Sequence, residues 1–248
     1  MDFDLTMIQG LPDRVQRYFT HSIEVGAPLP RTVEIEMTGE MRLSRGGRWM
    51  PMRAHEILTP GSGFVFKAAV GKWLPIRGSD RYMDGKGAME WRLLGMIPVA
   101  RASGPDISRS ALGRMVVESF LVPGSLLPRC GVQWQQLDPD HAEARFESGA
   151  HCFTVTVKLA AGGALEQVAI NRWGNLETGN GGYEEIGFGG YLGEDRKFGP
   201  YTIPTRIAVG WRPDTDRYFE FFRAGITDAR FQVGDSTQSG QAAAVCAP

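Results

Sequence analysis

The stretch Ile107-Ser-Arg-Ser-Ala-Leu-Gly-Arg-Met-Val-Val-Glu-Ser-Phe-Leu-Val122 decides how the rest of the chain is read. At roughly 100° per residue, Arg114 and Glu118 fall in the same arc as Ile107, Ala111, Met115 and Val122. The remaining faces carry Leu112, Val116, Val117, Phe120 and Leu121. A helix that is apolar nearly all round belongs inside a core, and two ionised groups there must pair or coordinate something. Their i,i+4 spacing lets the side chains meet. Two readings stay open: an ion pair that braces a sheet, or a helix lining a cavity. In the second, Glu118 is a general acid or base whose pKa is set by desolvation against the Arg114 charge.

On either side of this helix the chain reads as antiparallel strands. Leu11 to Ile23 is a first, amphipathic helix with Leu11, Val15, Tyr18 and Phe19 on one face. Val33, Ile35, Met37, Met41 and Leu43 then alternate with polar residues. Met50, Met52, Ala54 and Leu58 share a face with Glu56, and Phe64, Phe66, Ala68 and Val70 form the next. Asp84-Gly-Lys-Gly87 turns Asp80–Met83 into Ala88–Leu94. Gly104-Pro105-Asp106 introduces the central helix, with Asp106 as its expected N-cap. Beyond it, strands are expected at Val132–Leu137, Ala142–Glu147, Phe153–Leu159, Leu165–Trp173, Ile203–Trp211 and Arg217–Arg223, and short connections imply antiparallel pairing. Residues Gly174 to Gly199 hold many glycines and read as a long loop, a lid over a pocket mouth. Gln232 to Pro248 reads as a disordered tail, leaving residues 1–231 as a single β-rich domain.

Composition narrows the function classes. The 248 residues are 42% hydrophobic and 22% charged, with net charge -1. That is the balance of a soluble globular protein without an electrostatic footprint for nucleic acid or an anionic membrane. Three widely spaced cysteines, Cys130, Cys152 and Cys246, fit a reducing cytosol. The N-terminal stretch lacks the pattern of a signal peptide, and no apolar run approaches the ~18 residues of a membrane span. The expectation is a cytoplasmic protein that does not insert into membranes. Its oligomeric state is not readable.

Three candidate sites follow. The first is Arg114 with Glu118. The second is Glu56, a carboxylate on an apolar strand face that must be satisfied; strand alternation points His55 the other way. The third is Asp80 with Tyr82 on one face, Asp80 accepting from a hydroxylated ligand or pairing with an Arg such as Arg206 or Arg81. Gly187-Phe-Gly-Gly-Tyr-Leu-Gly193 matches neither the dinucleotide fingerprint nor the P-loop. His21, His55, His141 and His151 show no zinc spacing, and there is no G-x-S-x-G. Neither a metal nor a cofactor is expected. Five of the six tryptophans, Trp91 and Trp134 among them, are read mostly on strands as core or as walls of an apolar cavity.

The ordered set Gly78-Ser-Asp-Arg-Tyr-Met-Asp-Gly85, Leu93-Leu-Gly-Met-Ile-Pro-Val-Ala-Arg101, Gly104-Pro-Asp106, Leu112-Gly-Arg-Met-Val-Val-Glu118 and Pro123-x-x-Leu-Leu-Pro128 resembles an uncharacterised bacterial family of unknown function. Val132-Gln-Trp134 and Gly199-Pro-x-x-Ile-Pro204 to Trp211 extend the resemblance across roughly Leu11 to Phe231. No reaction transfers with it. It implies curved sheets with helices in the concavity, similar to bacterial lipoprotein-carrier half-barrels. Where members often carry Trp-Gly before the last strands, this chain has Gly189-Gly-Tyr191.

The fold expected is therefore α+β and β-rich, a large curved antiparallel sheet forming a half-barrel around the central helix. The leading functional reading is a cofactor-independent lyase, isomerase or dehydratase acting on a small, mostly apolar molecule. In it Glu118, Arg114, Glu56 and Asp80 are catalytic, and Tyr82, Phe66, Trp91, Trp134 and Tyr191 bind substrate. The alternative is a non-catalytic binder or carrier of a lipid-like ligand.

Overall fold

The structure is a computed structural model and describes residues 1–148, 151–176 and 182–233. The tail expected over Gln232 to Pro248 lies, from residue 234 on, outside them. A short 3₁₀ turn (Leu5–Ile8) leads into α1 (Asp13–Ser22), whose Val15, Tyr18 and Phe19 are buried. Six strands follow: β1 (Thr32–Met41), β2 (Met50–Thr59), β3 (Gly63–Val70), β4 (Ile76–Met83), β5 (Lys86–Leu93) and β6 (Ile97–Ser103). Next come the central helix α2 (Pro105–Glu118) and three 3₁₀ turns over residues 119–130. The second arm is β7 (Gln133–Gln136), β8 (His141–Ser148), β9 (His151–Leu159), β10 (Leu165–Gly174), β11 (Glu184–Phe198), β12 (Tyr201–Trp211) and β13 (Phe219–Gln232).

All thirteen strands join one sheet in the order β6-β5-β4-β3-β2-β1-β13-β12-β11-β10-β9-β8-β7. Each arm is a meander, as its short hairpins dictate, and the arms meet where β1 pairs antiparallel with β13. The sheet is curved and open. Helix α2 packs on β3 to β6 and also on β9 and β10, so the two arms rise on opposite sides of it. Bulges at Glu36/Met37 and Val209/Gly210 interrupt the ladder at the joint between the arms, where an extra residue bends a strand and steepens its twist.

Three local expectations are corrected. The glycine-rich stretch is largely strand β11, not a lid, with residues 177–181 outside the described part. A Cβ on Gly189 would lie 2.0 Å from the Val168 carbonyl oxygen, and one on Gly190 2.1 Å from that of Ala208. These glycines let three strands approach closely; they do not loosen a loop. Strand β6 is an additional edge strand. Gly104, not Asp106, caps α2; Asp106 sits in the first turn, where an acid suits the positive end of the helix dipole, and accepts from Trp173 Nε1 at 2.8 Å.

Candidate functional site

Alternation along β2, β3 and β4 sends Glu56, Phe66 and Asp80 to the concave face as direct cross-strand neighbours. Arg114 descends onto them from α2. Its Nε donates to Glu118 at 2.7 Å, one Nη to Glu56 at 3.1 Å and the other to Asp80 at 3.2 Å. The guanidinium also lies 4.6 Å from the ring centroids of both Phe64 and Phe66, a geometry that favours a cation. Trp91 donates from its indole to the other Asp80 oxygen at 2.9 Å. Side-chain exposure runs from 3% at Glu56 through 15% at Arg114 and 20% at Glu118 to 31% at Asp80. The cluster thus has a dry end and a wetter end.

Three carboxyl groups around one guanidinium cannot share a dry site as three free anions at low cost. Burial, reinforced by the charge of Glu118, pushes Glu56 well above its ordinary value, although Arg114 pulls the other way. Burial works against the charge of Arg114, but Glu118, Glu56 and Asp80 outweigh it and hold its pKa above the ordinary value. Glu118 Oε2 is buried with no hydrogen-bond partner. A protonated Glu56 carries the proton that such an oxygen lacks.

A fifth group escapes the sequence reading. Arg172, on β10, shares the inward face of Val168 and Ile170. Its Nε donates to the Ser110 carbonyl at 2.9 Å, and its guanidinium lies 4.4 Å and 5.2 Å from the rings of Phe188 and Trp211. It forms no ion pair among the described residues. Burial, with the neighbouring charge of Arg114, lowers its pKa to about 10, so it remains a cation at neutral pH. The signal was available in the alternation from Leu165 to Trp173, which puts an arginine where an apolar side chain belongs.

The cluster therefore unites Arg114, Glu118, Glu56, Asp80, Phe66 and Trp91. Asp80 pairs with Arg114; Arg206 instead lies against Glu194. Tyr82 is buried one step along β4 and lines, with Leu112, Ser108 and His151, a cavity of about 290 Å³ beside the first half of α2. Two of the expected substrate contacts, Trp134 and Tyr191, lie away from this cluster. Trp134 sits among Tyr18, Phe19 and Phe120 in the other hydrophobic cluster, its indole donating to Leu126 O at 2.9 Å. Tyr191 is on the outer face, because Phe188 points inward and Tyr191 lies an odd number of positions away on β11. Its hydroxyl donates to Asp214 at 2.8 Å. Among the described residues no group of His, Cys, Asp and Glu could hold a metal ion, and no helix is long and apolar enough to cross a membrane.

No curated protein matches the chain. A crystal structure described as that of an outer membrane lipoprotein-sorting protein domain from Vibrio parahaemolyticus is similar at 12% identity over 94% of each chain. Its TM-score of 0.39 is too low to carry an argument. A family model matches residues 2–224, nearly the whole described chain. The chain belongs to DUF6544, a family of unknown function.

Proposed function

We propose that this protein binds a small, mostly apolar molecule with one polar acceptor group, a lipid-like ligand, against the concave face of the sheet. The observation that supports this is Arg172. Arg114 is saturated by carboxyl groups, whereas Arg172 keeps its Nη donors free of any carboxylate among the described residues while lying against Phe188 and Trp211. Half-buried Met41, Met50, Trp91 and Phe222 pack on the hydrophobic cluster that holds Phe64, Phe66 and Met115. Apolar walls with few convergent polar groups are the usual composition of a ligand site. A charged donor left inside one discriminates ligands by whether they present an acceptor.

A second reading rests on a separate observation, the buried Oε2 of Glu118 beside a Glu56 whose pKa burial raises. Two adjacent carboxyl groups, one of which burial pushes toward its neutral form, are the parts that acid–base isomerisation or dehydration of a bound molecule uses.

The experiment is a thermal-shift series with medium-chain fatty acids and the alcohols of equal length. Binding raises the melting temperature by mass action. Acids stabilise the wild type more than alcohols do, and Arg172→Met abolishes that preference while leaving the fold intact. If neither series stabilises the wild type, the binding reading fails. Turnover of a bound ligand that is lost in Glu118→Gln with binding retained establishes the acid–base reading.

A further inference from the structure

The overall charge of -1 conceals a strongly segregated surface at one end of the first arm. The hairpins β1–β2, β3–β4 and β5–β6 all turn at that end, as the pairings Met41↔Met50, Val70↔Ile76 and Leu93↔Ile97 require. They are tied to one another through the backbone. Gly71 N donates to Pro51 O at 2.8 Å, and Leu94 N to Pro75 O at 2.9 Å. The three loops read Arg42-Leu-Ser-Arg-Gly-Gly-Arg-Trp49, Gly71-Lys-Trp-Leu-Pro75 and Leu94-Gly-Met96. They contain Arg42, Arg45, Arg48 and Lys72, and no acidic residue.

The same loops hold large apolar side chains in water. Trp73 is 86% exposed, Met96 69%, Leu74 66% and Leu43 65%, with Ile97 next to them at the start of β6. Single exposed apolar residues are ordinary, but a contiguous group on neighbouring hairpin tips marks a contact surface. Behind the tips, the outer face of β2 to β5 forms a groove of about 550 Å³. It is floored by the small side chains of Ala69 and Ser79 and flanked by Arg53, Lys67 and Arg77, with Glu36 and Glu90 also on its lining. These three cations form no ion pair among the described residues, while Arg92 beside them is held by Glu90. Beside the tips the hairpin 212–218, whose Arg217 carbonyl accepts from Arg45, balances Arg212 and Arg217 with Asp214 and Asp216, so the excess of basic charge ends there.

From the acid-free, cation-bearing hairpin tips that expose Trp73, Leu74 and Met96 ahead of Arg53, Lys67 and Arg77, we infer that this end of the sheet docks on the surface of an anionic lipid bilayer. The apolar tips enter the interfacial region, where a tryptophan is favoured. The basic residues behind them face the headgroups, and their attraction weakens within a Debye length. An extended partner suits three neighbouring hairpin tips better than a small anion does, because the exposed apolar surface would otherwise remain wet. This docking does not depend on what occupies the concave face. Half-buried Met41, Met50, Trp91 and Phe222 lie toward the same end, so a lipid-like ligand would enter from the docked side.

The test is flotation of the full chain with vesicles of phosphatidylcholine alone and of phosphatidylcholine with one-third phosphatidylglycerol, at low and high salt. The wild type floats with the anionic vesicles, and salt weakens the association. Trp73→Ser with Leu74→Ser removes flotation while leaving the melting temperature unchanged, since both side chains are in water. Arg48→Glu with Lys72→Glu weakens binding to anionic vesicles by roughly fivefold or more per charge and leaves any weak binding to neutral vesicles in place. Failure of the wild type to float with anionic vesicles overturns the inference. So does sedimentation showing a dimer that Trp73→Ser with Leu74→Ser converts to monomer, because the tips are then an interface between copies. Ligand binding measured in vesicle-free solution is a separate readout, so this inference and the binding reading can fail independently.

Discussion

At the residue scale the informative group is Glu56, which the strand places in the core and which Arg114 cannot wholly compensate. Its pKa in the folded protein stands well above the ordinary 4.5, chiefly through burial. The folded protein therefore holds this proton over a range of pH in which the unfolded chain has released it. Stability contributed by the group is complete below about pH 4.5 and is lost as pH rises toward the folded value. Glu56→Gln, which keeps the shape and cannot ionise, removes that dependence. The melting temperature of the variant relative to wild type is expected to climb as pH rises above about 4.5 and to level off once Glu56 of the folded wild type ionises; a constant difference would show that Glu56 is not a buried acid. Arg114 behaves oppositely. Arg114→Met strands Glu118 and Asp80 beside apolar rings, and urea denaturation should show a loss of about 3 kcal/mol or more. Adding Glu118→Gln recovers part of that loss, because the two side chains share one interaction. The pairing of Arg114 with Glu118 was legible from i,i+4 spacing, and the inward face of Glu56 from alternation. The choice of Asp80 as a further partner was not, since it depends on the height at which α2 crosses β4. Arg172 was legible in principle, but one arginine in an apolar alternation attracts less notice than a charged pair on a helix.

At the scale of elements, the strands with strict alternation, β1 to β3 and β8 to β10, could be read directly because one face is buried and the other is wet. The misreadings fall where that contrast vanishes. Strand β6 is an edge strand exposed along both faces, so its sequence carries no period. Strand β11 substitutes glycines where backbones crowd together, and a glycine admitted for close approach looks the same in sequence as one admitted for flexibility. Gly163, in the hairpin between β9 and β10, joins both demands and gives a test. Its φ is +95°, and a Cβ there would lie 2.3 Å from the carbonyl oxygen of Arg17 on α1. Neither partner can yield, as both are backbone. Gly163→Ala is expected to cost about 2 kcal/mol or more, measured by thermal or urea unfolding. Gly162→Ala next to it, with open space around its Cβ, changes stability little. Equal effects at the two positions would mean that α1 does not press on this turn.

At the scale of the whole molecule the two arms are held together in two ways, by α2 lying between them and by β1 against β13. The second contact joins residues near the two ends of the described chain, Thr32 with Gln232 through Met41 with Phe222. No local pattern in the sequence announces that pairing. It follows only once two meanders must share one helix and bury their inner faces on it. Its consequence is that neither arm is a finished unit. Without β13, the whole length of β1 and residues 206–211 of β12 become bare edges, and Ala224, Ile226 and Ala229 leave the hydrophobic cluster that includes Val33, Ile35, Met115 and Ile207. A chain ending at residue 216 retains every residue of the Arg114 cluster and the rings of Phe64 and Phe66 against it. It is nevertheless expected to lose cooperative thermal unfolding, and with it any dispersed NMR spectrum. The reasoning is energetic: about 1 kcal/mol per residue or more of ordering entropy must be offset throughout both arms, and the truncated chain gives up the central ladder together with the apolar burial that accompanies it. Supplying residues 217–233 as a separate peptide should restore part of the melting transition, because β13 is a strand inserted between two partners and not a covering laid over a completed core. A truncated chain that folds alone and keeps the Arg172-dependent preference for acids would show instead that the site depends on the α2 contacts only, and that the β1–β13 joint is dispensable.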